Sequence, residues 1–207
     1  MTTSARFWDR IADRYSRKPV PDETIYQQKL KITRQLMHPN MEVVEFGAGT
    51  GSTALAHAPH VRHILATDVS PRMMEIARGK AAAAGIDNVR FEVSSVEELA
   101  VAAESVDLVL GLSILHLLED RDAAITKVWD MLRPGGYFVS STPCLGDWFK
   151  LFKLVGPVGH FFGVIPMVKV FTRKELDDSL SNAGFTIEHA WQPERKQGVF
   201  IVARKPA

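Results

Sequence analysis

Short apolar runs alternate with amphipathic stretches along the chain, and this alternation predicts a sheet covered by helices. Runs rich in Val, Ile, Leu and Phe predict strands at residues 42–46, 64–68, 89–93, 106–111 and 137–141. Helical periodicity and capping residues predict helices between them, at residues 52–57, 71–84 and 122–132. Strands that alternate with helices in this way predict an α/β fold built on a mostly parallel sheet.

Amphipathic helices precede the first strand, and a hairpin pattern closes the chain. Apolar residues recur at helical spacing in residues 5–18, and a second helix is predicted at about residues 22–36. A last helix begins at Thr172, which forms a capping box with Glu175. Residues 185–191 and 199–204 then predict two strands joined by a polar turn.

The segment 145–170 is unusually apolar. Its apolar stripe at helical spacing consists of Trp148, Leu151, Phe152 and Val155. Three interpretations remain open: a lid over a hydrophobic acceptor, an amphipathic surface that touches a bilayer with Lys150 and Lys153 toward the headgroups, and ordinary core packing.

Composition and charge limit the classes of function. A chain of 207 residues with 46% hydrophobic and 24% charged residues is expected to form one globular domain. A net charge of +1 argues against a nucleic-acid partner, because proteins that bind nucleic acids usually carry a strong excess of basic residues. One cysteine, Cys144, and the lack of a long apolar run or signal core predict a cytoplasmic protein. Cys144 itself is expected to be a buried, inert thiol.

Candidate chemistry centres on a glycine-rich turn after the first strand. Gly47, Gly49 and Gly51 follow that strand, and such a turn lets a ligand lie against bare backbone. The pattern differs from the dinucleotide fingerprint because Ser52 stands where its third glycine would be. Glu45 is an acid in an otherwise apolar strand, where a buried carboxyl needs a partner.

Three motifs then occur in order: Val-Val-Glu-Phe-Gly-Ala-Gly-Thr-Gly from residue 43, Ala-Thr-Asp-Val-Ser-Pro-Arg-Met-Met from residue 66, and Leu-Arg-Pro-Gly-Gly-Tyr-Phe from residue 132. Together they resemble the class I S-adenosylmethionine-dependent methyltransferases, in style the ubiquinone/menaquinone-biosynthesis-type methylases. The resemblance covers about residues 5–204 and implies a Rossmann-like, doubly wound, seven-stranded sheet in three layers, with an antiparallel last strand. It also implies S-adenosylmethionine as the methyl donor, S-adenosylhomocysteine as the product, and no metal.

The resemblance implies the site residues as well. Glu45, Gly47, Gly49 and Gly51 are expected to hold the methionine part of the cofactor, and Asp68 its ribose hydroxyls. Further cofactor contacts are expected at Ala48, Thr50, Val69, Met73, Ser95, Val96 and Leu112. Ser95 departs from the family, where an acid usually accepts from the adenine amino group. For Met73, ordinary core packing is nearly as well supported.

A general base is needed only if the methyl acceptor loses a proton before it attacks the methyl group. His116 and Tyr15 are the candidates, and a structural hydrogen bond is an equally good explanation of His116. His57, His60 and His63 match no metal-ligand spacing and are expected at the surface.

The expected organisation is one domain over residues 1–207. It comprises an N-terminal helical cover (1–40), a cofactor-binding half (41–144), the apolar insertion (145–170), and the last helix with its hairpin (171–207). The predicted function is methyl transfer to a small, apolar or lipid-like acceptor. A nicotinamide-dependent oxidoreductase and a non-catalytic nucleotide-binding protein of the same fold are the alternatives.

Overall fold

A computed structural model describes residues 3–147, 168–194 and 197–207. Over these ranges it contains the helices α1 (Thr3–Ser16), α2 (Glu23–Arg34), α3 (Ser52–His57), α4 (Pro71–Ala84), α5 (Arg121–Met131) and α6 (Arg173–Asn182). The strands are β1 (Glu42–Phe46), β2 (His63–Asp68), β3 (Val89–Val93), β4 (Val106–Leu112), β5 (Leu132–Thr142), β6 (Thr186–Trp191) and β7 (Val199–Arg204).

The strands form one seven-stranded sheet in the order β3-β2-β1-β4-β5-β7-β6. Strand β7 runs antiparallel to its neighbours β5 and β6, whereas the β1–β2, β2–β3 and β4–β5 pairs are parallel. The predicted α/β fold class and the antiparallel last strand are therefore confirmed. The chain divides into two compact units, residues 1–99 and residues 100–207, which are described separately below.

The first unit carries the strands that lead into the glycine-rich turn. In the β1–β2 register Phe46 lies opposite Thr67, so both strands end at the same edge of the sheet. Helix α4 begins where the sequence predicts, because the Ser70 side chain accepts a hydrogen bond from the Met73 amide. It ends at Gly85, whose left-handed backbone caps the helix.

The second unit has a longer β5 than the sequence predicts. The stretch Arg133–Gly136 was expected to be a turn, but it belongs to the strand. The reason is pairing with the end of the chain: the Gly135 amide donates to the Lys205 carbonyl, and the Lys205 amide donates to the Gly136 carbonyl, both at 2.9 Å. Cys144 is buried in this unit, and burial raises the pKa of its thiol to about 12, as expected for an inert thiol.

Lys205 is a buried cation that caps the end of α5. Its ammonium donates to the carbonyls of Leu132 (2.8 Å) and Trp129 (3.0 Å), and it lies 3.4 Å from a carboxylate oxygen of Glu104. Only 7% of Lys205 is exposed, and the ammonium also lies 5.0 Å from the ring centroid of Trp129. The last carbonyls of a helix need such donors, and the helix dipole favours a positive charge there.

We expect Lys205→Met to lower the free energy of unfolding by about 2 kcal/mol, since it leaves buried carbonyls without a donor. Urea denaturation measures this loss. Lys174→Met is the control, because the Lys174–Asp178 pair is exposed and screened by solvent, so its loss should hardly change the stability. Equal stability of the two variants would contradict the capping function of Lys205.

Candidate cofactor site

The glycine-rich turn after β1 is closed by its own backbone hydrogen bonds. Gly47, Gly49 and Gly51 have φ angles of +66°, +54° and +74°, a left-handed conformation that favours glycine. The Ala48 amide donates to the Thr67 carbonyl (2.9 Å), and the Gly51 amide donates to the Ala48 carbonyl (3.0 Å). The turn is therefore fixed both internally and to the end of β2.

The three glycines do not share one function. A Cβ atom at Gly51 would lie 2.8 Å from the Cβ of Ala77 in α4 and 2.9 Å from Cε1 of Phe91 in β3. Gly51 therefore permits close packing of helix and strand, which is the function of the third glycine in the dinucleotide fingerprint. Among the described residues, a Cβ atom at Gly49 would meet Cε1 of Tyr15 alone, at 3.9 Å.

Glu45 is a buried carboxyl group with an unsatisfied oxygen. Only 3% of the residue is exposed, and its Oε2 atom has no hydrogen-bond partner among the described residues. Burial, and after it the negative charge of Asp68, raises the pKa of Glu45 to about 8. Such a group is costly to bury, and a ligand that carries positive charge or donates hydrogen bonds would satisfy it.

Asp68 closes the turn and keeps capacity for a ligand. Its Oδ2 atom accepts from the Gly49 amide and its Oδ1 atom from the Ser70 amide, each at 3.0 Å. Burial raises the pKa of Asp68, while these amides and that of Val69 act in the opposite direction. A carboxylate has about four acceptor positions, so two further donors, such as a pair of hydroxyls, can still be accommodated.

Each N-terminal helix places one tyrosine near one of these carboxyl groups. Tyr15 of α1 has a raised pKa because of desolvation and then the charge of Asp68, although 47% of the residue is exposed. Tyr26 of α2 has a raised pKa because of burial, to which the charge of Glu45 adds. Both phenols are therefore protonated near neutral pH and act as hydrogen-bond donors. Tyr26 carried no signal in the sequence, since one tyrosine in an amphipathic helix is unremarkable.

Helix α1 is fastened to the start of α4 by Asp9. One carboxylate oxygen of Asp9 accepts from the Ser70 hydroxyl (2.7 Å) and from the Arg72 amide (2.9 Å). The Arg72 guanidinium reaches both oxygens of Asp13, at 2.7 and 3.3 Å. These bonds hold α1 beside the residues that follow Asp68.

Lys80 is a site residue that the sequence interpretation missed. Its ammonium donates to the hydroxyls of Thr50 (2.9 Å) and Ser52 (3.1 Å), and so links α4 to the turn. The spacing along the helix could have revealed Lys80 in the sequence. Met73, Ala77 and Lys80 fall on one face of α4, and this face lies toward the turn.

The other predicted cofactor contacts of this unit differ in exposure. Met73 and Val96 are buried, with 1% and 3% exposed, so Met73 packs in the core. Val69 and Ala48 are partly exposed. The Ser95 hydroxyl accepts from the Glu98 amide at 3.3 Å, which is a local capping interaction.

In the second unit, Leu112 ends β4 and His116 lies in the short 3₁₀ helix Leu115–Leu117. Leu112 is half-buried. The Nδ1 atom of His116 is buried without a partner among the described residues, and burial lowers the pKa of the imidazole to about 4. A neutral imidazole can accept a hydrogen bond at neutral pH, but a pKa this low makes it a weak proton acceptor.

The backbone at His116 also holds the far end of the apolar insertion. The Lys169 amide donates to the His116 carbonyl (2.7 Å), and the Gly146 amide donates to the Phe171 carbonyl (2.8 Å). The chain therefore leaves and rejoins this unit at neighbouring points. The apolar stripe predicted in residues 148–167, with its lid and membrane interpretations, lies outside the described residues.

One prediction about the histidines was wrong. His60 is exposed and His63 partly exposed, but His57 is fully buried. Burial lowers its pKa to about 3, so the imidazole is neutral. The error arose because α3 packs against α2, and its last residue therefore faces the interior. In the part of the chain that the structure describes, no group of His, Cys, Asp and Glu side chains could hold a metal ion.

The residues at the turn fit the cofactor that the sequence motifs imply. S-adenosylmethionine is a cationic amino acid joined to a nucleoside. The orphaned oxygen of Glu45 suits its positive charge, the remaining acceptor positions of Asp68 suit its ribose hydroxyls, and the open Gly49 backbone suits close approach. The fold and this site together have the features expected of S-adenosylmethionine-binding α/β proteins.

Comparison with known proteins agrees with this interpretation of the site. Residues 43–136 match the family model of the methyltransferase domain. The uncharacterized methyltransferase YcgJ of Bacillus subtilis is 33% identical over 97 residues, 47% of this chain and 38% of that protein. Its crystal structure has a TM-score of 0.72 at 18% identity, covering 87% of this chain and 99% of that one.

Two relatives have more specific names. The tRNA 5-carboxymethoxyuridine methyltransferase of Escherichia coli K12 is 27% identical over 140 residues, 63% of this chain and 54% of that protein. The ubiquinone biosynthesis O-methyltransferase of Sinorhizobium fredii is 29% identical over 134 residues, 65% of this chain and 48% of that protein.

Over residues 43–136 the chain is similar to the methyltransferase domain, and it shares the fold of the solved YcgJ structure. It spans about half or less of the length of the curated relatives above: 38%, 54% and 48%. Along the described residues, none of the helices is both long and apolar enough to cross a bilayer.

Proposed function

We propose that this protein transfers the methyl group of S-adenosylmethionine to a small, apolar or lipid-like acceptor. The observation that carries the proposal is the buried carboxyl of Glu45, whose Oε2 atom has no partner among the described residues, beside the fixed carboxylate of Asp68. The similarity of residues 43–136 to the methyltransferase domain supports this donor over a nicotinamide cofactor.

The residues of the turn have separate tasks in this proposal. The backbone at Gly47 and Gly49, with Glu45, holds the methionine part, while Asp68 accepts from the ribose hydroxyls. Ala48, Thr50, Val69, Ser95, Val96 and Leu112 supply further contacts, and Met73 supports them from the core. The sulfonium of the bound cofactor supplies an already activated methyl group. The protein therefore has mainly to align the partners and exclude water.

Helices α1 and α2 cover the site in this proposal. Tyr15 lies over Gly49, and Asp9 and Asp13 hold α1 to Ser70 and Arg72. A tyrosine with a raised pKa acts as a donor that orients groups rather than as a base at neutral pH. Closing such a cover would keep water from the sulfonium.

The acceptor is proposed to approach through the apolar insertion 145–170, whose described ends join the fold beside His116. The high apolar content of that segment supports an apolar acceptor. One matched relative is named as a tRNA methyltransferase, so an RNA-borne acceptor is the alternative, and the expected lack of a nucleic-acid partner stays untested.

Thermal unfolding with each cofactor tests the donor. S-adenosylmethionine and S-adenosylhomocysteine should raise the melting midpoint, and NAD⁺ and NADH should not. Incubating the protein with methyl-labelled cofactor and, in parallel, cell lipid extract and total RNA tests the acceptor. Label in the lipid extract supports the proposal. Label in RNA alone contradicts the apolar acceptor, and no label despite binding favours a non-catalytic protein.

The pKa of Glu45 leads to a pH prediction. Below about pH 8 the free carboxyl is protonated, and a cationic ligand prefers the ionised form. Affinity for S-adenosylmethionine should therefore rise with pH up to about 8 and level off above it. Binding at pH 7 should release about one proton.

Calorimetric titration in buffers of different ionisation enthalpy measures this proton release. Glu45→Gln cannot ionise, so it should bind more weakly at pH 8 and release no proton. Equal proton release by the Gln variant and the original protein would assign the ionisation to another group.

A further inference from the structure

Positive charge is concentrated at the start of the chain. Residues 1–18 contain five of the 25 Lys and Arg and two of the 24 Asp and Glu, so this stretch carries +3 and the remainder −2. The small net charge of the whole protein therefore hides a local basic surplus, which falls on helix α1 and on Arg17 and Lys18 directly after it.

Three arginines form a row on α1, and a fourth directly follows the helix. Arg6, Arg10, Arg14 and Arg17 are all exposed. At about 100° per residue Arg6, Arg10 and Arg14 fall within an arc of about 80°, and at 1.5 Å per residue they span about 12 Å of the helix. The guanidinium of Arg10 lies 5.6 Å from the ring centroid of Phe7, at the edge of the row. We call these four residues the arginine row.

The row faces away from the body of the first unit. The buried residues of α1 are Ala5 and Ala12, on the opposite side of the helix. Asp9 and Asp13 fix the helix to α4 through Ser70 and Arg72, as described above. The helix is thus held rigidly, with its charged side outward.

We propose that the arginine row docks the protein on an anionic phospholipid surface. A straight, outward row on a fixed helix can meet a planar array of phosphates along its whole length. Val20, with 40% exposed, adds apolar area just beyond the C-terminal end of the helix. The inference is independent of the methyl donor and concerns where the protein works.

The alternative polyanion, RNA, fits the row less well. Proteins that bind single strands combine a positively charged groove with open aromatic platforms. Helix α1 is convex, and its rings Phe7 and Trp8 pack edge to face with centroids 5.3 Å apart. A duplex binder also needs basic residues across several faces, whereas here the chain beyond residue 18 is net negative.

Vesicle sedimentation with the full chain tests the proposal. Vesicles of equal parts phosphatidylcholine and phosphatidylglycerol should bind the protein at low salt. Pure phosphatidylcholine should not, and about 0.5 M salt should release the protein because the charges are then screened. Arg6→Gln with Arg14→Gln should weaken binding about 30-fold, since each arginine near such a surface contributes about fivefold.

The matched control is Arg62→Gln with Arg90→Gln, which removes two exposed positive charges of the same unit outside α1. It should leave vesicle binding unchanged, and melting midpoints check that both double variants fold. Vesicle binding that falls equally in both variants would overturn the proposal, as would an absence of binding. Binding to a labelled single-stranded RNA that outcompetes the vesicles and depends on Arg6 and Arg14 would overturn it in favour of RNA. Neither assay contains the methyl donor, so the outcome is separate from that of the proposed activity.

Discussion

Asp68→Ala is expected to weaken binding of S-adenosylhomocysteine by at least about 100-fold. Asp68 is proposed to accept two hydroxyl hydrogen bonds, and each such bond to a charged group contributes about 1.5–3 kcal/mol. The substitution also releases the Gly49 and Ser70 amides that Asp68 holds at 3.0 Å, so the turn loses one of its ties to β2 and keeps the Ala48–Thr67 bond. Calorimetric titration measures the loss of affinity.

Asp68→Asn separates the two functions of the carboxylate. It keeps the shape and one acceptor oxygen, so one of the two backbone amides keeps its partner. The apo protein should therefore melt closer to the original than Asp68→Ala does, while affinity still falls. The 2′-deoxy analogue of S-adenosylhomocysteine gives a second comparison. The original protein should bind it at least about tenfold more weakly than the parent compound, and Asp68→Asn should discriminate less. If Asp68→Ala binds S-adenosylhomocysteine as tightly as the original protein, Asp68 is not part of the cofactor site.

Gly51→Ala is expected to lower the free energy of unfolding by about 2–4 kcal/mol. The φ angle of +74° costs a residue with a Cβ about 1 kcal/mol, and overpacking adds about 1–3 kcal/mol. The overpacking arises because the new Cβ would lie 2.8 Å from Ala77 and 2.9 Å from Phe91. Urea denaturation measures the change.

Two glycines of the same unit serve as controls. Gly85 has a φ of +64°, but no atom of the described residues lies within 4 Å of where a Cβ would be, so Gly85→Ala should show only the conformational cost. Gly79 lies within α4 and likewise has no described neighbour within 4 Å of such a Cβ, so Gly79→Ala should stabilise by about 0.5–1 kcal/mol. Adding Ala77→Gly to Gly51→Ala should recover part of the loss. If Gly51→Ala and Gly85→Ala cost the same, close packing is not what Gly51 provides.

The sequence was sufficient for the fold because local signals and the global pattern agree. Helix α4 shows this directly: Ser70 and Gly85 mark its ends, and the structure begins and ends the helix there. Strand β5 was predicted too short, since Arg133–Gly136 looks like a turn until the residues after β7 pair with it. That pairing joins residues far apart in sequence, which local patterns do not contain.

The site was predicted in part for a similar reason. The sequence alone identifies Glu45, Asp68 and the glycines as candidates, because an acid in an apolar strand and a repeat of glycines are locally unusual. Lys80 and Tyr26 look ordinary in sequence, and only the packing of α4 and α2 brings them to Thr50 and Thr53. The prediction that His57 lies at the surface was wrong because it rested on residue type alone. Histidine is commonly exposed, but here the packing of α2 on α3 buries it.

The hydrogen bonds at the base of the insertion bear on how this protein could diversify. Besides the Gly146–Phe171 bond, the Asp147 carboxylate accepts from the Arg173 amide at 2.9 Å, so the two stems are tied before the intervening stretch begins. Exchanging that stretch for one of another length would cost the sheet little, because doubling a loop adds only about 0.6 kcal/mol of closure entropy. Segments of different length and sequence could therefore be exchanged between these stems without rebuilding the interior of the fold.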